Sequence, residues 1–393
     1  MHPDSRSISR FFQGLAEVCP VGQLEHFHLI HWPTEPPSPL DPLREAGFRG
    51  RVVVARASLA DAIRREHPGV ELVLDDHPTA GAMAGHILME LPQGRLASSL
   101  AIDAALAALR DEESRLWLFG NRESGILAVA KGYTGVETAL CKGHLRLLSL
   151  SKASRLHPEK SATRSFRPDA DGFASLTVSG LRVALRPGIF SWQAIDPATL
   201  LLLEAIREHP GRRLLDWGCG SGFLGAALAA RYPDLRVVLS DDLVTATNCA
   251  RRTVEWNGLA ERCEVITEDG IGRNLERLRF DVIVTNPPAH RGVRSNHDAT
   301  LAFLASAAGV LHPGGVLWLV GNRGLDYGAL LRPRFGQVEE RDGDDAFTVW
   351  RGVKTREKHV ASGRGRARDG QWLEPHGDDP AFRERMNAWG RGS

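Results

Sequence analysis

The feature that most constrains the fold is a pair of sequence blocks that recur, in the same order, in the two halves of the 393-residue chain. Leu116–Arg122 reads LWLFGNR and Leu317–Arg323 reads LWLVGNR, and an Ala- and Leu-rich stretch precedes each copy. Upstream, residues 67–76 (HPGVELVLDD) parallel residues 232–241 (YPDLRVVLSD). Matched blocks in matched order indicate that one domain was duplicated. The sequence therefore predicts two tandem copies of one fold.

The pattern of the second half indicates what that fold is. Short β-branched runs alternate there with amphipathic stretches, as expected for parallel strands that are joined by crossover helices. We predict strands over 214–217, 236–240, 264–266, 281–285 and 316–320, helices over 223–231, 246–257 and 299–311, and a turn over 312–315. The predicted fold class is α/β, with two tandem Rossmann-like domains.

Changes in composition along the chain suggest three parts. We place a first domain at 1–165, a second at 166–353 and a basic, disordered tail at 354–393, with a polar linker around 155–171. The tail holds nine bases and six acids without an apolar period, so contact with RNA and simple solvation both stay open for it. We aligned Ala55–Ser58 with the glycine-rich segment 218–222, which predicts a degenerate first copy that binds no cofactor and serves recognition or scaffolding.

Charge and composition exclude several classes of protein. The net charge is +1, so no global field drives the chain onto nucleic acid or membrane. No apolar stretch approaches the length of a membrane span. The five cysteines lack metal-ligand spacing, and His26, His28 and His31 have a mixed, largely strand-like spacing that does not indicate a metal site. We expect a cytoplasmic, metal-free protein that is monomeric.

The segment Asp216–Gly222 (DWGCGSG) lies between a predicted strand and a predicted helix. An open α/β sheet binds nucleotide-like ligands at this position, because the backbone can approach the ligand there. Phe223 stands where a dinucleotide fingerprint has its third glycine, and the chain contains no phosphate-binding GxxxxGK[ST] loop. The pattern therefore indicates a nucleoside ligand that is neither NAD nor a nucleoside triphosphate.

Acidic residues follow the next two predicted strands. Asp241 lies 19 residues beyond Gly222, where a carboxylate can accept both hydroxyls of a ribose. For its neighbour Asp242, pairing with a basic side chain is the simpler expectation. Glu268 and Asp269 follow the third strand, within reach of an adenine amino group. Together these positions predict a pocket for an adenine nucleoside.

The fourth predicted strand ends in Asn286-Pro287-Pro288. By itself this tripeptide is also a common rigid turn, because proline fixes φ and asparagine starts turns. The glycine-rich segment, the acids after the next two strands and the Asn-Pro-Pro turn follow one another along the chain. In this order of features, the chain resembles the class I S-adenosylmethionine-dependent methyltransferases. It is more narrowly similar to the bacterial two-domain ribosomal RNA guanine-N2 methyltransferases, of small-subunit type C and large-subunit type G. That narrower likeness depends on Arg186–Ser191 (RPGIFS), Asn286–His290 (NPPAH) and Gly321–Arg323, and it covers residues 110–350 well.

The resemblance implies a degenerate N-terminal copy, S-adenosylmethionine as the methyl donor, and ribosomal RNA or a ribosomal subunit as the partner. It implies methylation of the exocyclic N2 amine of a guanine, with Asn286, Pro287 and Pro288 as the catalytic residues. The oxygen of the Asn286 side chain and the backbone carbonyl of Pro287 would accept the two N–H groups of that amine. The donor-binding residues that it implies are Asp216, Gly218, Gly220, Gly222, Asp241, Asp269 and Asn286.

One position departs from the pattern of the family. Members that act on planar nitrogen usually carry an aromatic residue after Asn-Pro-Pro, where its ring stacks on the target base, and this chain has Ala289. His290, Phe190 or Trp192 can supply a ring instead. We predict His290, Arg291 and Phe190 as substrate-binding residues, with Arg291 and Arg294 facing phosphates or simply solvent.

Two alternatives stay open at this point. The same donor pocket and the same Asn-Pro-Pro turn serve other planar-nitrogen acceptors, namely DNA adenine, a protein glutamine or a small molecule. The other alternative is a relative without activity that only binds RNA, in which Ala289 marks the loss of catalysis.

Overall fold

The computed structural model describes residues 5–30, 40–76, 81, 83–157, 166, 168–169, 171–287, 304 and 306–355. Within them lie two seven-stranded sheets and a separate two-stranded hairpin. The α/β class and the two tandem Rossmann-like copies are confirmed. Both sheets have five parallel strands, and each ends at one edge in an antiparallel pair.

The first sheet is built from residues 24–151. Its strands are β1 (Leu24–Leu29), β2 (Arg51–Val54), β3 (Leu72–Leu74), β4 (His86–Glu90), β5 (Arg115–Gly120), β6 (Glu137–Lys142) and β7 (Leu145–Ser151), in the order β3-β2-β1-β4-β5-β7-β6. Its helices are α1 (Ser5–Val18), α2 (Leu40–Glu45), α3 (Ala57–Glu66), α4 (Arg95–Ala107) and α5 (Ile126–Ala130), with a 3-10 turn at Val21–Gln23.

A hairpin of β8 (Ala174–Val178) and β9 (Leu181–Leu185) precedes the second sheet. The second sheet contains β10 (Arg213–Trp217), β11 (Arg236–Asp241), β12 (Cys263–Thr267), β13 (Phe280–Thr285), β14 (Leu311–Asn322), β15 (Gln337–Gly343) and β16 (Phe347–Val353), in the order β12-β11-β10-β13-β14-β16-β15. Its helices are α6 (Pro197–Ala205), α7 (Phe223–Arg231), α8 (Val244–Trp256) and α9 (Tyr327–Leu331), with a 3-10 turn at Leu275–Arg277.

The two strand orders superimpose position by position, so β5 corresponds to β14. The repeated LWLFGNR and LWLVGNR blocks lie on these two strands, which supports the duplication. The second pairing of blocks was wrong. Residues 67–76 lead into the edge strand β3, whose counterpart is β12, whereas residues 232–241 lead into β11, whose counterpart is β2. Strands that follow a helix share one apolar pattern, and that pattern does not identify a strand's place in the sheet.

The alignment of Ala55–Ser58 with the glycine-rich segment was also wrong, because it matched the end of β2 with the end of β10 instead of the end of β11. Ala55 follows β2, so its counterpart is Asp241 at the end of β11, because Val54 and Ser240 pair with the last residues of β1 and β10. The counterpart of the glycine-rich segment follows β1, at residues 30–39, of which 31–39 lie outside the described residues. Those ten residues contain no glycine in the sequence. The first copy thus lacks both the glycines and an acid at the position of Asp241.

Most predicted elements of the second half agree with the observed ones within two residues, and α7 agrees in full. The turn expected over 312–315 lies within the bounds of β14, which begins at Leu311 after helical residues at 304 and 306–310. The pairing with β13 shifts there from Phe280–Leu311 to Val282–Val316, and Gly314 has a φ of 86°, so residues 312–315 form an irregularity in the strand. Gly314 and Gly315 exchange backbone hydrogen bonds with Lys354. We did not predict the edge hairpins β6–β7 and β15–β16 or the hairpin β8–β9.

The apolar faces of the sheets form separate cores. In the second half, α6, α7 and α8 pack on the sheet through buried residues such as Leu202, Phe223 and Val254. Of the tail expected over 354–393, Lys354 and Thr355 are described and the rest lies outside the described residues. The expected linker over 155–171 is described only in part. Within the described ranges, no helix is both long enough and apolar enough to cross a membrane.

Candidate functional site

The glycine-rich segment turns between β10 and α7 in a conformation that only glycine adopts readily. Gly218, Gly220 and Gly222 have φ values of 69°, 53° and 77°, all in the left-handed region. A Cβ at Gly222 would lie 2.9 Å from the Cα of Ala250. A Cβ at Gly218 or Gly220 would meet no atom within 4 Å. The segment therefore packs on α8 at one end and leaves an open backbone cradle at the other.

Asp216 lies on β10 below this cradle, and it is buried. Its Oδ2 accepts a hydrogen bond from the backbone N of Gly225 at 2.8 Å, in the first turn of α7. A Cβ at Gly225 would come within 3.0 Å of the same oxygen, so glycine is needed for this approach. The carboxylate thereby links the end of the central strand to the start of the helix.

Burial raises the pKa of Asp216 to about 7, and the hydrogen bond from Gly225 only partly offsets this effect. The negative charge of Asp241 raises the pKa further. A cationic group that binds beside a buried carboxylate stabilises its negatively charged form. Asp216 is thus suited to hold a positively charged part of a ligand.

We expect the free energy of unfolding of the ligand-free protein to fall as pH rises from about 4 to about 7, in part through Asp216. The folded-state pKa lies above the unfolded value of about 3.9, so the folded chain binds a proton that the unfolded chain has already lost. Urea unfolding of the wild type and of Asp216→Asn, at about pH 5 and about pH 8, measures this difference. An equal loss of stability in both proteins would contradict the assignment.

Asp241 ends β11 and joins it to the cradle. Its Oδ2 accepts from the N of Gly220 at 3.0 Å, and its Oδ1 accepts from the N of Leu243 at 2.9 Å. The backbone carbonyl of Ser240 accepts from the N of Gly218 and from the N of Cys219. Burial raises the pKa of Asp241. The second strand end and the glycine-rich segment therefore form one hydrogen-bonded unit.

The two acids after β12 differ in what they contact. Glu268 accepts from the backbone N of Asn274 at 3.0 Å and from the N of Leu275 at 3.2 Å, so it stabilises the turn that follows. Asp269 keeps much of its surface open to solvent. Desolvation of its carboxylate by the surrounding atoms, together with the negative charges of Asp242 and Asp61, raises its pKa. Asp269 is therefore better placed than Glu268 to contact a ligand.

Asn286 follows β13, and its amide orientation is set by the start of α6. Its Nδ2 donates to Oδ1 of Asp196 at 3.2 Å and to Oγ1 of Thr199 at 2.9 Å. Because both partners accept hydrogen bonds, the amide is assigned with its nitrogen toward α6, and Oδ1 remains an acceptor. We did not predict Asp196 or Thr199 as site residues from the sequence. The Asp-Pro pair at the start of α6 signals a helix N-cap, and no local pattern connects it to Asn286.

Asn286 and the cradle line one cleft together with Phe190. The residues of the cleft are Phe190, Ser191, Ala194, Ile195, Asp196, Thr199, Asp216, Gly218, Cys219, Gly220, Ser221, Phe223, Leu224 and Asn286. Pro287 follows as a buried residue. Pro288, Ala289, His290, Arg291 and Arg294 lie outside the described residues.

Phe190 is the aromatic ring that the structure places at the rim of this cleft, with 60% of its surface exposed. The ring of Trp192 packs edge-on against Phe166 at 5.9 Å between centroids and is partly buried. Arg186, at the start of this segment, donates from Nη1 to Oδ2 of Asp76 at 2.8 Å. Asp76 belongs to the first half of the chain, and our sequence analysis did not single it out.

Two of the three histidines considered as metal ligands, His26 and His28, are buried on β1, and His31 lies outside the described residues. The described ranges contain no group of three or more potential metal ligands.

The chain is similar to known proteins in sequence and in structure. Residues 180–351 match the model of the family described as "Methyltransferase small domain". A protein of Hahella chejuensis named "Ribosomal RNA small subunit methyltransferase C" is 32% identical over 320 residues, which cover 79% of this chain and 90% of the relative. A protein of the same name from Pseudomonas aeruginosa is 33% identical over 281 residues, covering 70% of this chain and 81% of the relative.

A solved structure extends this likeness to both halves of the chain. It is the T. thermophilus 16S rRNA N2 G1207 methyltransferase in complex with AdoMet and guanosine, with a TM-score of 0.69 and 26% sequence identity. The match covers 88% of this chain and 92% of that protein. The likeness therefore includes the first sheet as well as the second.

Proposed function

This chain belongs to the family of the ribosomal RNA small subunit methyltransferases C, and we propose that it methylates the N2 amine of a guanine in small-subunit ribosomal RNA. The methyl donor is S-adenosylmethionine. Of the two types in the resemblance, the names of the relatives favour the small-subunit type. The observation that carries the proposal is the cleft in which the open glycine cradle, the buried Asp216 and the oriented amide of Asn286 meet.

The residues of the cradle suit the donor. Gly218 and Gly220 leave room for a ligand beside the backbone. Asp241 suits the ribose hydroxyls and Asp269 the adenine amino group, while Gly222 holds the segment against α8. Asp216 supplies negative charge for the cationic donor. When bound, S-adenosylmethionine supplies a methyl group on a positively charged sulfur.

Asn286 and Pro287 suit the acceptor amine. The N2 lone pair of guanine is delocalised into the ring, so this nitrogen is a weak nucleophile. If Oδ1 of Asn286 and the carbonyl of Pro287 accept its two N–H groups, the nitrogen becomes pyramidal and its lone pair points toward the methyl carbon. N2 would form a bond to that carbon as the carbon–sulfur bond breaks, the sulfur would leave as a neutral thioether, and the proton released from N2 would pass to solvent. Because the methylated nitrogen is acidic, a strong general base is not needed.

We propose a matching division between the two halves of the chain. Residues 166–353 carry the donor and acceptor sites, in agreement with the match of the family model to 180–351. Residues 1–165 serve recognition and scaffolding, because their sheet repeats the fold without the glycines after β1 and without an acid at Ala55.

An acceptor screen tests the proposal. The protein and labelled S-adenosylmethionine are incubated with undermethylated small subunits, free 16S rRNA, DNA and protein extract, and each product is digested. We expect label in N2-methylguanosine from the ribosomal samples, first at the guanine that corresponds to the target named for the T. thermophilus protein. Label in adenine, in glutamine or in no acceptor would refute the assignment, and the last result would favour a relative that only binds RNA.

Phe190 is the residue that we propose to replace the aromatic ring missing at Ala289. Stacking of a base on an aromatic ring contributes about 1–3 kcal/mol, so Phe190→Ala should lower kcat/KM for the RNA by about 10- to 100-fold. Phe190→Tyr retains the ring and should stay close to the wild type, and donor affinity should not change in either variant. An alanine variant with wild-type kcat/KM would exclude this role.

A further inference from the structure

The first half of the chain contacts the donor site through Asp242, the residue after Asp241. Oδ2 of Asp242 accepts from Nη1 of Arg56 at 3.0 Å and from Oγ of Ser58 at 2.9 Å. Oδ1 of Asp242 accepts from the backbone N of Ser58 at 2.7 Å. All these donors lie at the start of α3, in the half that lacks a glycine-rich segment. The basic partner expected for Asp242 thus comes from the other copy.

The backbones of the two copies are also joined at this point. The N of Ala57 donates to the carbonyl of Asp242, and the N of Val244 donates to the carbonyl of Ala55, both at 2.9 Å. These bonds form an antiparallel bridge between Arg56 and Leu243. The two paired segments follow β2 and β11, which are counterparts. The copies therefore meet through the same loop of the fold, and Arg56 stands in the first copy where Asp242 stands in the second.

The contact at Asp242 lies next to Asp241, the acid that we propose to bind the ribose. Asp242 is adjacent to Asp241, whose carboxylate binds the N of Gly220 in the cradle. The negative charge of Asp242 acts to raise the pKa values of both Asp241 and Asp269. The positive charge of Arg56 opposes this effect, since it acts to lower the same two pKa values. The first copy therefore contributes charge as well as hydrogen bonds at the nucleoside end of the site.

We propose that Arg56 and Ser58 are positioning residues for donor binding, which hold Asp242 and so fix Asp241 to receive the ribose of S-adenosylmethionine. The inference rests on the proposed function and deepens it. The first copy has lost its own glycine-rich segment, and it completes the donor site of the second copy through the loop that both copies share. Affinity for the donor then depends on the packing of the two halves.

Calorimetric titration of the full chain with S-adenosylmethionine tests this inference. Because hydrogen bonds to charged groups are among the stronger ones, Arg56→Ala should raise the donor Kd about tenfold. Ser58→Ala removes only the hydroxyl bond and should raise Kd about threefold. Arg56→Lys should recover part of the affinity. Because the acceptor clamp is untouched, kcat at saturating donor should stay near the wild-type value, so that the effect falls on the donor KM.

Arg65→Ala is the matched control. Arg65 lies on the same helix, is exposed, and donates from Nε to the backbone carbonyl of Asp61. Its replacement should leave donor Kd unchanged. In an Asp242→Asn background, Arg56→Ala should have a smaller effect than in the wild type, because the two side chains act through one contact.

Other results would overturn the inference. If Arg56→Ala lowers the melting temperature but leaves donor Kd unchanged, the contact is only structural. Additive effects of Arg56→Ala and Asp242→Asn would also exclude the coupling. If Arg56→Ala does not fold, Ser58→Ala and Asp242→Asn probe the same contact, and wild-type affinity in both would refute the inference. Failure of the wild type itself to bind the donor would instead refute the proposed function.

Discussion

Asp216→Ala is expected to weaken the binding of S-adenosylmethionine by about 100- to 4,000-fold, because breaking one side of a buried charge pair costs about 3–5 kcal/mol. The substitution removes the negative charge that we propose to stabilise the cationic donor. It also leaves the buried N–H of Gly225 without its acceptor, which loosens the start of α7. Calorimetric titration of the purified variant measures the loss.

Asp216→Asn separates these two effects. Asparagine can still accept from Gly225 at the same position, but it carries no charge. If charge dominates, the asparagine variant should bind the donor nearly as weakly as the alanine variant while its melting temperature stays closer to the wild type. Donor affinity of the alanine variant equal to that of the wild type would show that the donor does not use this pocket.

Asn286→Ala is expected to lower kcat by about 100- to 1,000-fold, the usual cost of removing one preorganised hydrogen-bonding group from a transition state. The variant loses the acceptor that we propose for one N–H of the guanine amine. Single-turnover methylation of small subunits, at saturating donor and RNA, measures the chemical step without interference from product release.

Thr199→Val provides the companion variant for Asn286. Thr199 accepts from Nδ2 of Asn286 at 2.9 Å, and valine has a similar shape without the hydroxyl. The amide then keeps only its bond to Asp196, so a loss in kcat smaller than that of Asn286→Ala is expected. A twofold change in kcat corresponds to about 0.4 kcal/mol of activation free energy. If kcat of Asn286→Ala stays within twofold of the wild type, Asn286 does not act as an acceptor for the guanine amine.

The sequence allowed much of the second half to be predicted because its signals are local. The glycine-rich segment, the acid after β11 and the Asn-Pro turn after β13 each occupy a short window beside a regular element. The left-handed φ values at Gly218, Gly220 and Gly222 explain why this window contains glycines. The outer strands of the edge hairpins, β6 and β15, were missed because they are largely exposed and carry a weaker apolar pattern than the buried parallel strands.

The predictions were wrong where the position of a strand in the sheet had to be inferred from its apolar pattern alone. Residues 67–76 and 232–241 share an apolar run after a helix, yet the first run forms an edge strand and the second lies next to the central strand. Hydrophobic period reports which element forms and which face is buried. It does not report the neighbours of a strand, because these depend on pairing between distant segments.

The amino-acid sequence alone determined the α/β class, the duplication, the family and the position of the glycine-rich cradle, since each follows from residues that are contiguous or regularly spaced. Only the tertiary structure decided how the amide of Asn286 is oriented, that Phe190 lies at the rim of the cleft, and that Arg56 binds Asp242 across a separation of 186 residues. Such contacts depend on how distant segments of the chain pack together, and local conformational preferences carry no information about that packing.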